Sequence, residues 1–400
     1  MRILKVVQAY EPFREMGGAV VKVRAIAHGL SQHGHEVTVL TSNLGLNRLT
    51  ESGKYVLTRW GREAVHNGIR TIYLPTRARY RALTFNPALR PFLHECLRQF
   101  DLVHIYGMYD LLGPQTAYAC RSLGVPYILE PMGMFRPIVR NIALKRLYHW
   151  IWGRRMARGA RHIVATSPME AAELTAEQIP RDQIVVRRNG IEMPITMPAS
   201  GEFRARWTIP PDAAMILFLG RVVSKKSPDL LLEAFARWRT TSPRGGSAVL
   251  VIAGPEEGDG YYQRLQRAAV SLGVNANVRF TGPLYDDQKW AAYRDADVFV
   301  LPSQDENFGN SAGEAMAAGV PVILTDRCGI APLLLHRGAI GIPHNREDLT
   351  DALHAVLDQP GARDQLAAGC VEAARSLSWS TPLDEIEALY ASVVAQSGDE

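Results

Sequence analysis

The sequence contains no run of about 18 or more apolar residues, the length a membrane-spanning helix needs. Its opening, Met1-Arg2-Ile3-Leu4-Lys5-Val6, is strand-like rather than leader-like, so the chain reads as cytosolic with no secretory signal. Cysteine is scarce. Cys96, Cys120, Cys328 and Cys370 form no C-x-x-C pair and have no histidine at metal-ligand spacing, which points to reduced thiols rather than a disulfide framework or metal centre. Neither G-x-G-x-x-G nor G-x-x-x-x-G-K-[ST] is present, and no D-x-D pair sits on a loop. These absences count against a nicotinamide-dependent oxidoreductase, which needs a glycine fingerprint after a strand and a ribose-binding acid about 20 residues on. A two-lobe solute-binding protein would carry a secretion signal, and no nucleic-acid-binding motif accompanies the basic residues.

What is present suits a globular protein: 47% hydrophobic and 21% charged residues over 400 positions, enough for two domains of about 200 residues each. Short apolar runs alternate with helical stretches. Ile3–Val7, Glu36–Thr41, Ile69–Leu74, Leu102–Tyr106, Pro126–Leu129, His162–Ala165 and Ile184–Val186 are predicted strands, apolar without strict alternation as in a parallel sheet covered on both faces. Val20–Ser31, Pro87–Gln99, Leu112–Leu123, Ile142–Ala157 and Pro168–Glu177 are predicted helices between them. The rhythm pauses over residues 191–201, where two prolines, a serine and a glycine mark a linker. It resumes with strands at Met215–Leu219, Ala248–Ala253, Val278–Thr281, Asp297–Leu301 and Val322–Thr325. The expected fold class is α/β: two doubly wound, Rossmann-like parallel-sheet domains over residues 1–190 and 202–380. An amphipathic helix at Asp384–Val394 falls in the last segment, 381–400.

Charge divides unevenly. Residues 1–190 hold 27 Lys and Arg against 13 Asp and Glu, a net of +14, while the remainder holds 18 against 27, a net of −9. From Arg136 to Arg161 there are eight cations (Arg136, Arg140, Lys145, Arg146, Arg154, Arg155, Arg158, Arg161) and no acid. Such a run is either a solvated helix face or a surface for an anionic partner.

Ligands of open parallel sheets bind beyond the carboxyl ends of the strands, and four segments there carry chemistry. After the first strand, Gly17-Gly18 precedes a helix, an arrangement that serves a turn or lets backbone N–H groups approach a phosphate. After Met215–Leu219 come Gly220-Arg221 and Lys225-Lys226, a planar guanidinium fork and a compact charge suited to a diphosphate, or else a solvated basic loop. The third segment runs from Pro302 to Pro321. Glu306 sits in its loop, Gly309-Asn310-Ser311 would offer N–H groups, and Glu314 falls at the third position after Ser311, where a capping box is the alternative to ligand binding. The fourth pairs His104 and Tyr106 with Glu130-Pro131-Met132-Gly133. Here His104 is either structural or a group for an acceptor hydroxyl.

Together, Glu306 and Glu314 within Glu306-Asn307-Phe308-Gly309 and Glu314-Ala315-Met316-Ala317-Ala318-Gly319-Val320-Pro321 resemble the hallmark of retaining family-four glycosyltransferases. Gly220-Arg221 with Lys226, Gly17-Gly18, Ala165-Thr166-Ser167 with Glu170, and Asn189-Gly190-Ile191 extend the resemblance over nearly the full length. It implies the GT-B fold, two domains facing across a cleft, with the final helix returning to the first domain. It also implies a nucleoside-diphosphate sugar as donor, with Arg221 and Lys226 on its diphosphate and Glu306 on the sugar hydroxyls. Phe308, Gly309, Asn310 and Ser311 would approach through backbone groups, Glu314 would take the ribose, and Gly17 and Gly18 the phosphates. Two departures stand out: Pro131-Met132-Gly133 where the family often has Pro-His-Gly, and Ser227 where it has glycine.

On this reading the catalytic set is Arg221, Lys226 and Glu306, and the acceptor meets His104 and Tyr106. No metal or cofactor is expected, because fixed cations take the leaving diphosphate. The acceptor is expected to be lipid-linked or an oligosaccharide, in surface polysaccharide or glycolipid assembly. The mixed stretch Arg77-Ala78-Arg79-Tyr80-Arg81-Ala82-Leu83-Thr84-Phe85 is a candidate contact with an anionic inner membrane face.

Overall fold

The computed structural model describes residues 1–13, 17–44, 55–80, 83–137 and 141–398. The chain divides into two compact units, one of Met1–Asn189 with Trp379–Glu400, the other of Gly190–Ser378.

Among the described residues, eleven strands belong to unit 1: β1 (Arg2–Val6), β2 (Glu36–Ser42), β3 (Val56–Thr58), β4 (Gly61–His66), β5 (Ile69–Leu74), β6 (Ala78–Tyr80), β7 (Leu83–Phe85), β8 (Leu102–Tyr106), β9 (Tyr127–Glu130), β10 (His162–Ala165) and β11 (Ile184–Val186). Its main sheet runs β11-β10-β9-β8-β1-β2-β5-β4-β3. The members from β11 to β5 are parallel, whereas β4 and β3 join antiparallel. The expected parallel sheet is present, and the β3–β4 hairpin is added at one edge, its Val56 and Leu57 exposed. A separate hairpin pairs β6 with β7.

One face of the unit 1 sheet carries Leu4, Val6, Val103 and Ile105 into a core with Phe92, Leu112 and Met156. The other carries Ile3, Val7, Val37 and Leu102 against Val23, Ile26 and Leu30 of the helix Gly18–Gln32. This second face also takes Leu383, Ile386, Tyr390 and Val393 of the last helix, Ser380–Gly398. The apolar positions recur at three- and four-residue steps, so one stripe is buried. The terminal helix thus packs in unit 1, longer at its start than the sequence pattern indicated.

Unit 2 has six parallel strands: β12 (Met215–Leu219), β13 (Val249–Ala253), β14 (Val278–Gly282), β15 (Val298–Leu301), β16 (Val322–Thr325) and β17 (Ala339–Ile342). Their order is β14-β13-β12-β15-β16-β17. Successive strands build outward from β12 on one side and from β15 on the other. The connections after β12 and β15 therefore diverge, and their adjacent carboxyl ends make the topological switch point where such sheets bind ligands. That topology places the second and third segments of the sequence side by side. Residues 191–201 form no helix or strand before the helix Glu202–Arg206.

Candidate active site

The loop leaving β12 is fixed by close backbone contact. Val222 bridges Glu256, and a Cβ at Gly254, whose φ is +146°, would sit 1.8 Å from the Gly220 carbonyl oxygen. Only glycine permits that approach. The chain then makes a short turn, Ser224–Lys226, and enters the helix Pro228–Thr241 through Ser227. Ser227 has φ +48°, the left-handed region that accounts for the family's glycine at this place. Its hydroxyl meets His344 Nε2 at 2.9 Å.

The loop leaving β15 folds against this turn. The Gln304 N–H donates to the Lys225 carbonyl at 3.0 Å, and Lys225 Nζ stands 3.3 Å from Asp305 Oδ2. Lys226 Nζ is paired with Glu306 Oε2. Burial, and after it the Arg221 guanidinium, pushes the Lys226 ammonium down to about 8. Glu306 is held from the far side: its N–H donates to the Arg327 carbonyl and its carbonyl accepts from Gly329, both at 2.9 Å. Phe308 buries its ring in the core, and its carbonyl accepts from the Ile330 N–H at 2.7 Å. Its contribution toward any ligand is therefore through the backbone. Arg221, more exposed, pairs with Glu257, a partner that sequence reasoning missed.

Gly309 turns the chain with φ +106° and heads the helix Asn310–Ala317. A side chain there would press on Ile330 and Leu301 at 3.1 and 3.2 Å. The helix presents the positive end of its dipole beside the Glu306 loop. The capping-box alternative for Glu314 is overturned, because Gly309 takes the cap position, leaving Ser311 inside the helix with no side-chain cap bond. Glu314 instead accepts from Lys289 Nζ at 2.8 Å and Tyr293 OH at 3.0 Å. Lys289 and Tyr293 were also missed, although their four-residue spacing places them on one helix face. Asp295-Ala296-Asp297, the one D-x-D of the sequence, is engaged otherwise. Asp295 accepts from the Gly201 and Arg204 N–H groups, and Asp297 from Arg204 and the Met215 N–H.

Unit 1 places its sequence candidates differently. His104 and Tyr106 are 0% and 1% exposed. His104 Nδ1 lies 2.5 Å from Tyr390 OH, and Tyr106 OH accepts from Lys5 Nζ at 2.8 Å. Neither offers surface to an acceptor, so the expectation that they meet one is withdrawn on grounds of burial. They belong to an ionic core around Glu130, which accepts from Lys22 at 2.6 Å and from Arg187 at 2.9 and 3.0 Å. Burial opposes ionisation of Glu130, but Arg187, Lys22 and His104 outweigh it and hold the carboxyl at about 2. Burial and the Lys5 charge hold His104 well below its usual range. Met132 adopts φ +56° and Gly133 φ +73°, and the Gly133 N–H donates to Glu170 Oε1 at 2.5 Å. Glu170 also receives the Thr166 N–H and hydroxyl. Gly17 has φ +89° and caps the helix that starts at Gly18. Arg14 to Met16 of that loop, Arg81 and Ala82 of the mixed stretch, and Arg140 of the basic run lie outside the described residues.

Known proteins share this architecture. HepE of Anabaena in complex with UDP-glucose superposes with a TM-score of 0.78 at 16% identity, over 98% of this chain and 100% of that one. Sucrose-phosphate synthase of Thermosynechococcus elongatus does so with a TM-score of 0.76 at 19% identity, over 99% of each. The fold is the GT-B fold of two Rossmann-like domains. In sequence, the glycosyl transferases group 1 model matches residues 200–376 and the glycosyl transferase 4-like domain residues 17–190. A D-inositol 3-phosphate glycosyltransferase of Thermomonospora curvata is 31% identical over 310 residues, 73% of this chain and 71% of that one. The chain belongs to the group 1, family-four-like glycosyltransferases and is an enzyme that transfers sugar. Among the described residues no helix is long and apolar enough to cross a membrane.

Proposed function

We propose that this enzyme moves a hexosyl group from a nucleoside-diphosphate sugar to a hydroxyl of an anionic acceptor, with retention of configuration and without a metal ion. The observation that carries the reading is the juxtaposition in unit 2 of Lys226 with Glu306, at the switch point between β12 and β15. Arg221 and Lys226 would receive the diphosphate, and the helix headed by Gly309 would add its dipole. Glu306 would hold the sugar hydroxyls, and Glu314, oriented by Lys289 and Tyr293, the ribose.

The chemistry follows from charge. As the sugar C1–O bond to the diphosphate breaks, positive character builds on the ring and negative charge on the leaving group. The acceptor oxygen bonds to C1 on the face being vacated, and its proton passes to the departing phosphate oxygen. Preorganised cations stabilise that departure most, so the donor end of the site supplies the rate. HepE, whose fold is shared, is known in complex with UDP-glucose, which favours a uridine nucleotide and a hexose here. The relatives' substrate, D-inositol 3-phosphate, is itself an anion, in keeping with the net of +14 over residues 1–190. A phosphorylated or lipid-linked acceptor of glycolipid or surface-polysaccharide assembly fits both points.

The test is sugar transfer from UDP-glucose and GDP-mannose with Arg221→Ala and Glu306→Gln. Arg221→Ala is expected to lower kcat about 100- to 1,000-fold, as loss of one preorganised donor does. Glu306→Gln is expected to lower kcat more than it weakens UDP binding. Transfer by Arg221→Ala at the wild-type rate would refute the assignment.

A further inference from the structure

We infer that one helical segment of unit 1 docks the enzyme on an anionic phospholipid surface. The segment is continuous: the helix Ile142–Tyr148, a wide π-type turn at His149–Gly153, and the helix Arg154–Arg158. Its inner side is anchored. Tyr148, Met156 and Ala157 enter the unit 1 core, and Tyr109 OH meets His149 Nε2 at 3.0 Å. The wide turn is well packed too, since a Cβ at Gly153 would stand 2.6 Å from the His149 ring.

The outer side is unusual for a protein surface. Ile142, Leu144, Leu147, Trp150 and Trp152 are all exposed, Trp150 at 74%. Isolated exposed apolar side chains are ordinary, but five within eleven residues make a patch, and such patches mark interaction sites. Arg146 stands among them and Arg154, Arg155 and Arg158 follow directly, likewise exposed. Among the described residues none of these four guanidinium groups is paired with a carboxylate. From Arg136 to Arg161 the sequence has no acid at all. Leu147, Trp150, Arg154 and Arg158 follow at three- and four-residue steps, so they share a side of the segment.

Charge and apolarity together select the occupant. A second copy joined about a two-fold axis would bring this basic face against another basic face, which repels. A nucleic acid would satisfy the guanidinium groups but would leave Ile142, Leu144 and Leu147 without a partner. An anionic bilayer takes both. Headgroup phosphates meet the arginines, leucines enter the acyl boundary, and tryptophan is at home at that depth. The hairpin β6–β7, with exposed Tyr80 and Phe85, lies in the same unit, but it has fewer apolar side chains and its Arg79 is turned onto the Leu44 carbonyl at 3.1 Å. The segment 142–158 is therefore the stronger dock.

Docking goes beyond the transfer reading and rests on it only for its purpose, delivery of the enzyme to an acceptor held at a surface. The test is co-sedimentation of the full chain with phosphatidylcholine vesicles, with and without phosphatidylglycerol, in the absence of any sugar donor. Binding to the anionic vesicles alone is expected, falling as salt rises. Leu147→Ala with Trp150→Ala, and separately Arg154→Ser with Arg158→Ser, are each expected to weaken it about tenfold or more. Both pairs are at the surface, and unchanged thermal unfolding and UDP-glucose turnover on a soluble acceptor would show the fold intact. Equal binding to neutral vesicles, no binding, or wild-type binding by both variants would overturn the dock. A wild-type dimer broken by Trp150→Ala would overturn it in favour of self-association. Vesicle binding with no sugar transfer from any donor would instead sink the transfer reading and leave the dock standing.

Discussion

The two units use buried and half-buried charge in opposite ways. In unit 1, Lys22, His104 and Arg187 surround the Glu130 carboxylate, all of them buried, and the buried Lys5 beside them donates to Tyr106 and Tyr390. In unit 2, Lys226 and Glu306 keep some solvent access, and Arg221 and Glu257 keep more. A closed cluster resists exchange, since every partner removed strands a charge in a poor dielectric. A partly open pair can trade one partner for another anion. The same residue types therefore hold a fold together in one unit and form a candidate ligand site in the other, and burial decides which.

The sharpest way to break that contrast is Glu130→Gln. Lys22 and Arg187 would keep their positions but lose their shared carboxylate, and stranding buried charge of this kind costs about 3–5 kcal/mol. Urea unfolding followed by a unit 1 probe should show the loss at neutral pH. The wild type should approach the variant in acid. The folded carboxyl sits at about 2 against an unperturbed 4.5. Its stabilisation is thus full above the unfolded value and disappears as pH falls through the folded one. An acid limb unchanged by Glu130→Gln would show that the cluster does not carry it.

Next in size is the open pair. With its ammonium at about 8, Lys226 loses charge across mildly alkaline pH. If that charge receives the diphosphate, kcat/KM, which reports the free enzyme, should fall by about fivefold between pH 8 and pH 9. Lys226→Arg should flatten the limb, because a guanidinium stays charged there. A limb that persists unchanged in Lys226→Arg belongs to another group. The negative charge of a bound diphosphate favours the charged form, so saturating donor should move the limb upward.

These two regions were also unequally legible. The strands of unit 2 that flank the site were read within a residue or so, because Met215–Leu219 and Val298–Leu301 are unbroken apolar runs bounded by glycine, proline or acid. Ala339–Ile342 escaped notice, being four residues with a glycine inside and an edge position. The β3–β4 hairpin escaped because its exposed Val56 and Leu57 bury no periodic face. Residue types at strand ends marked Arg221, Lys226, Glu306 and Glu314 as candidates, but their partners Glu257, Lys289 and Tyr293 are fixed by tertiary folding, which no local pattern encodes. His104 shows the converse error. A histidine at a strand end looks available in sequence, yet it becomes inaccessible once a helix from the far end of the chain lays Tyr390 across it.

Tyr390 offers the finest test, because its ring and its hydroxyl serve different parts of the comparison. The ring fills the apolar face shared with Ile3, Ile26 and Leu102, while the hydroxyl joins the ionic cluster through His104 and Lys5, the latter at 3.1 Å. Tyr390→Phe keeps the first and deletes the second. Lys5 retains Tyr106 as an acceptor, but His104 Nδ1 is left buried with no partner, at a cost of about 1–2 kcal/mol. Tyr390→Ala adds a cavity and should cost about 3–5 kcal/mol. The diagnostic is where the loss appears. Amide exchange should quicken along Ser380–Gly398 in both variants while Asn310–Ala317 keeps its protection, because the helix that Tyr390 belongs to packs in unit 1 and the donor helix is built on unit 2. Equal quickening in both helices would mean that the ionic core of unit 1 and the candidate site of unit 2 rise and fall as one cooperative structure, and the division of labour drawn between them would not stand.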